Sequence, residues 1–232
     1  MATETKVLDL SRPIGSLLLV AWQWRESTIP LMQSVYGKLT KLVEAEQSFM
    51  DRYFSNTANP NLSEAGKQSA NEAAFNATLA PIYRDVQADS GQALKKKIAS
   101  LKANSLPRTD PADFASAIVR SDIRRIFLAM SGPGKAVTIK SDPSQQLASA
   151  LLEFPPELIG LNQQDLQTLK EGFGKFAYPE NAAQIAELTL GLEAVKTLLN
   201  MVEVLACDKL RMNAARLQVL IWGGPLPDSK RL

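Results

Sequence analysis

The sequence contains no histidine and a single cysteine, Cys207. Without histidine there is no Ser-His-Asp or Cys-His nucleophilic pair, no imidazole metal ligand and no histidine pH switch. One cysteine excludes an internal disulfide framework and any cysteine-cluster zinc site. Val204, Leu205 and Leu210 nearby mark Cys207 as a buried small apolar residue. Aromatics are only 6% of the chain, and 26 basic and 24 acidic side chains nearly cancel, leaving +2. Long apolar runs are also missing. The longest, Ile14 to Trp22, has nine residues, and a membrane-spanning helix needs about 20. Lys6 and Arg12 could open a signal peptide, but Trp22-Gln23-Trp24-Arg25 stands where its small-residue cleavage site belongs. The expectation is a chain with no signal peptide or transmembrane segment, in a reducing compartment.

What is present reads as all-α. The 232 residues are 45% hydrophobic, enough to bury a core. Residues 1–28 form an arm broken by Pro13 and Gly15. Residues 29–104 read as a long antiparallel helical hairpin. Its first helix opens at Pro30, where a missing N–H costs nothing. Met32, Tyr36, Leu39, Val43, Met50 and Tyr53 form its apolar stripe, and it ends near Phe54. After the turn cluster 55–61, Ser63 caps a second helix that runs to about Ala103. Pro81 and Ser90-Gly91 should kink or divide it. Leu79, Ile82, Val86, Leu94, Ile98 and Leu101 are its predicted buried face.

Residues 105–222 read as a helical domain. Asp110-Pro111 is expected to cap and open a helix whose apolar residues are Phe114, Ile118, Ile123, Phe127 and Met130. Ser131-Gly132-Pro133-Gly134 should stop it. Val137-Thr138-Ile139 could be a short extended piece. A short helix spans 144–152, and Asn162 with Asp165 resembles a capping box for a helix to about Phe176. Pro179 opens a long last helix. Ile185, Leu188, Leu192, Val195, Leu199, Val202 and Ala206 form a coiled-coil-like seam on it, and it should continue to Trp222, where Gly223-Gly224-Pro225 ends it. Residues 223–232 are a tail.

Chemical motifs fail on their spacing. Ser131-Gly132-Pro133-Gly134-Lys135 lacks the Walker A spacing, and Ala136 stands in place of the hydroxyl. Glu44 with Glu46, and Glu187 with Glu193, are not set on one helical face. The expectation is a non-enzymatic protein with no cofactor and no metal.

Charge is uneven. Residues 95–140 hold ten basic against three acidic side chains. Lys95, Lys96, Lys97, Lys102, Arg120, Arg124 and Arg125 are candidates for contact with nucleic acid or an acidic protein surface. No aromatics interleave with Lys95 to Lys102, so stacking on single-stranded bases has no support. Trp22, Trp24 and Trp222 are candidate protein-interface residues, since tryptophan is enriched in interfaces as well as in cores.

Phe154-Pro155-Pro156-Glu157-Leu158-Ile159-Gly160-Leu161-Asn162 precedes a capped helix and a final long helix. It follows the Ile-Arg-Arg helix, Asp142-Pro143 and an Ala/Leu helix. With Leu62-Ser63-Glu64-Ala65-Gly66-Lys67, this order resembles a set of helical proteins encoded by phages and prophages of proteobacteria. The resemblance covers residues 35–200 and departs at 131–140, where glycines replace charged helical residues. It implies a virion component or assembly factor and carries over no catalytic residues. The combined expectation is a structural or assembly protein of a phage particle, in the virion or host cytoplasm. It would bind other protein subunits, form a homo-oligomer, and make no membrane contact. The alternative is a nucleic-acid-binding or packaging protein using residues 95–140.

Overall fold

A computed structural model describes residues 26–110, 112–141 and 144–224. Residues 1–25 of the predicted arm, with Trp22 and Trp24, Pro111, the Asp142-Pro143 pair and the tail beyond Gly224 lie outside them. In chain order the elements are α1 (Pro30–Ala58), α2 (Glu64–Asp85), a π-helical turn (Val86–Gly91), α3 (Gln92–Asn104) and α4 (Phe114–Ala129). Then come α5 (Gly132–Lys140), α6 (Gln145–Leu152), α7 (Pro156–Ile159), α8 (Gln163–Ala177), α9 (Pro179–Lys209) and α10 (Ala214–Trp222). The fold is all-α, with no strand among the described residues.

Two compact units divide the chain. One combines Met1–Lys97 with Leu188–Leu232; the other is Ile98–Glu187. These limits differ from the expected 29–104 and 105–222. From Leu188 onward, α9 belongs with the N-terminal hairpin because its apolar seam is used there. Gly191 shows how closely: a Cβ at this position would lie 2.6 Å from Met32 Cε.

In the first unit, α1 packs along α2. The buried residues of α1 are Met32, Val35, Leu39, Leu42 and Phe49. Met32 and Leu39 of the expected stripe are buried as read, whereas Tyr36, Val43, Met50 and Tyr53 are half-buried and their places in the core go to Val35, Leu42 and Phe49. Ser63 caps α2 as expected, accepting from Gly66 N at 3.1 Å. Phe75 of α2 meets Phe49 edge-on, with centroids 5.6 Å apart. Each ring contributes about 1.5–3 kcal/mol by leaving water. Pro81 does not end α2. The division falls later, in the π-helical turn that contains Ser90 and Gly91. Leu79, Val86, Leu94 and Leu101 are buried as read, whereas Ile82 and Ile98 are half-buried.

The last helix is not continuous to Trp222. Arg211 adopts a left-handed φ of 49°. Met212 N then donates to Cys207 O at 3.1 Å, and Arg211 N to Asp208 O at 3.3 Å. This pair of bonds is the Schellman pattern that closes a helix. Asn213 caps α10, accepting from Arg216 N at 2.9 Å, and Gly223 ends it at φ 71°. Cys207 is half-buried rather than buried, and burial pushes its thiol up, with Glu203 adding to the shift.

The second unit has a smaller core of Phe127, Ile139, Leu151, Ile159, Leu161 and Leu169. α4 and α8 pack on α6, and α5 packs on α8. The Asn162–Asp165 capping box is present. Three expectations are corrected here. α4 is capped by Asp113, not Asp110; the Asp110 carboxylate instead accepts from Ala112 N in the preceding turn. Val137-Thr138-Ile139 is helical, within α5. Ser131 does not only follow a helix stop: its hydroxyl accepts from Gly134 N at 3.4 Å and starts α5.

Candidate protein-binding surface

Phe114, Ile118, Ile123, Phe127 and Met130 are the apolar residues expected of this third helix, α4. Its only buried residues are Arg120 and Phe127. Phe114 is 78% exposed, Ile118 66% and Ile126 57%. Phe114 and Ile118 stand four residues apart and so are neighbours on one face. Val119 and Leu128 are exposed on the same helix. The second unit also exposes Val137, Phe154, Leu158 and Phe176. Of the large apolar side chains exposed among the described residues, only Phe54, Leu190, Val204 and Val219 belong to the first unit.

The reason α4 faces this way is polar. Arg120 Nε donates to Glu153 Oε2 at 2.9 Å, and Arg124 reaches the same oxygen at 3.3 Å. Arg124 also donates to Ala150 O at 3.2 Å and lies 4.5 Å from the Phe154 ring centroid. Both arginines thus turn toward α6 and the residue that follows it. With that side occupied, Phe114 and Ile118 are left on the other. Arg125 is on the outer face, paired with Asp122 at 3.1 Å one turn away. An apolar face interrupted by such a charge pair has the mixed character of an exchangeable interface.

The other sequence candidates separate. Lys96, Lys97 and Lys102 are exposed, and Lys95 is half-buried. Lys95, Lys96 and Lys97 belong to the first unit; Lys102 and the arginines belong to the second. Trp222 is half-buried at the end of α10, in the first unit, while Trp22 and Trp24 lie outside the described residues. Glu44 is exposed, and burial, followed by the charge of Asp51, raises the carboxyl of half-buried Glu46.

Sequence reading missed the outward turn of Phe114 and Ile118. A signal was there. Ile118 to Ile123 is a step of five, which rotates about 140° around a helix at 100° per residue. The five apolar residues named for this helix therefore never formed one stripe. Among the described residues, no group of His, Cys, Asp or Glu has the arrangement of a metal site. No helix is long and apolar enough to cross a membrane there either. No protein-family model, curated protein or solved structure matches the chain.

Proposed function

We propose that this is a non-enzymatic structural or assembly protein that binds a neighbouring protein subunit through the outer face of α4. The observation that carries this reading is the exposure of Phe114 and Ile118 one turn apart on a helix with only one buried apolar residue. Isolated exposed apolar residues are ordinary, but a clustered face marks an interaction site. The occupant that fits is a second protein with an apolar helical face and a charged rim to meet Asp122 and Arg125. The resemblance to phage-encoded helical proteins supports a particle subunit as that partner.

The test is incorporation. Particles assembled with the full-length protein are compared with particles assembled with Phe114→Ser/Ile118→Ser. The chain is quantified by mass spectrometry against the major coat protein. The wild type should appear at a fixed ratio and the double variant should be lost, while its circular dichroism stays unchanged. Equal incorporation of both, or absence of the wild type from mature and immature particles, would overturn the reading.

A second reading rests on exposed Lys96 and Lys97 of the first unit, neither of which has an ion pair among the described residues. Contact with nucleic-acid phosphates would then weaken with salt. Replacing Lys95, Lys96 and Lys97 with Gln should reduce the salt slope by roughly three contacts.

A further inference from the structure

The second unit holds a cleft of about 520 Å³ between the start of α4 and the start of α6. Its volume is in the range of small-molecule sites, but its lining is not typical. Val119 is the one large apolar side chain there; Arg108, Asp110, Asp113, Ser116, Arg120, Gln145, Gln146 and Ser149 supply the polar groups.

Two of these groups are buried and incompletely used. Ser149 is only 5% exposed, and its hydroxyl has no hydrogen bond among the described residues. Arg120 is 9% exposed and uses Nε on Glu153, leaving its two terminal nitrogens without a protein partner there. These atoms still reach the solvent of the cleft, so a ligand that bonds them would replace water there. Glu153 serves two guanidinium groups through a single oxygen, and Arg120 also helps hold the Asp113 carboxyl low across the cleft. The first turns of α4 and α6 also line the cleft, and helix N-termini favour negative charge.

The carboxylates limit what else can enter. Asp113 is committed: bonds from the Ser116 hydroxyl and backbone N–H hold its carboxyl below the usual range. Asp110 already accepts from Ala112 N. Both would repel a second anionic group, yet both retain lone pairs for hydroxyl donors, and Gln145 and Gln146 add amide donors and acceptors. We propose that this cleft binds a small hydroxylated oxyanion of the sugar-phosphate class. The oxyanion would sit on Arg120, Arg108 and Ser149, and the hydroxyls would meet Gln145, Gln146 and the aspartates. The cleft shares Val119 with the exposed side of α4 but uses neither Phe114 nor Ile118, so failure of either reading leaves the other standing.

The experiment is isothermal titration of the full chain with ribose 5-phosphate, inorganic phosphate and ribose at low salt. Ribose 5-phosphate should saturate; inorganic phosphate should bind at least about tenfold more weakly, and ribose should not saturate. Ser149→Ala and Arg108→Gln should each weaken ribose 5-phosphate by about tenfold, the cost of a hydrogen bond to a charged group. Neither residue has a protein partner to lose, so both variants should fold. Arg120→Lys, which keeps the charge and loses the fork, should weaken it further. No saturation by ribose 5-phosphate at roughly 10 mM would overturn the proposal. Equal affinity for inorganic phosphate, or unchanged affinity in Ser149→Ala and Arg108→Gln, would also overturn it.

Discussion

α1 and α4 are both helices with apolar residues at helical spacings, and the fold uses them in opposite ways. α1 buries Met32, Val35, Leu39, Leu42 and Phe49 against its own unit. α4 buries Phe127 and an arginine, and exposes Phe114, Ile118 and Ile126. An isolated helix of 16 residues is marginal in water. What fixes α4 is thus one ring in the small core and two guanidinium groups on Glu153. The difference teaches that an apolar pattern reports a face to be covered, while long-range partners decide whether the same chain covers it. In the first unit, α2 and α9 supply the cover. In the second, Glu153 takes the inward side.

The largest expected effect sharpens that contrast. Phe75→Ala should cost about 3–5 kcal/mol, because the ring is fully buried against Phe49. Phe114→Ala should change stability by less than about 0.5 kcal/mol. Urea denaturation of the two variants side by side checks this; a large loss for Phe114→Ala would mean that its ring is covered within the chain.

Glu153→Gln should cost about 1–3 kcal/mol, since it leaves Arg120 and Arg124 without their carboxylate. The loss should be local. Amide exchange should quicken in α4 and remain slow in α1 and α2. Uniform acceleration would break the claim that α4 is held by its own polar contacts.

A pH effect separates the units next. Burial first, and then the charge of Glu203, push the Tyr83 phenol well above its usual value. The folded state therefore favours the neutral phenol. Stability from this preference is fully present below about pH 10, the unfolded value, and is lost as pH rises above it. The slope is at most about 1.4 kcal/mol per pH unit. Denaturation at pH 8 and pH 11 should show the loss in wild type and a smaller loss in Tyr83→Phe.

The smallest effect concerns the break before α10. Arg211→Gly should stabilise by about 1 kcal/mol, because a left-handed φ strains a side-chain-bearing residue. A rise in Tm in thermal melts would confirm that the break is a strained turn. A fall would mean that the Arg211 side chain contributes more than the strain costs.

Local signals were the legible part of the fold. Ser63, the Asn162–Asp165 box and Gly223 all act on backbone groups within a few residues, and each was readable. The failures have physical causes of their own. Asp110 and Asp113 both offer a carboxylate near a helix start, and only the turn geometry selects Asp113. Ser131 stands at a boundary where the end of one helix is the beginning of the next. Arg211 carries no glycine-like signal for its left-handed φ. Of the candidate site residues, Arg120 and Arg124 read as a displayed basic stripe because Glu153 lies about 30 positions away. Its pairing with them is set by packing, not by spacing.

The most direct test of the account is the accessibility of Ile118 in the free and assembled protein. In a Cys207→Ser background, Ile118→Cys would be labelled with a soluble maleimide before and after assembly into particles. The expected result is rapid labelling of the free chain and strong protection in the particle, with Lys96→Cys in the same background labelled equally in both. Equal labelling of Ile118→Cys in the two states would contradict the claim that the outer face of α4 is where a neighbouring subunit binds.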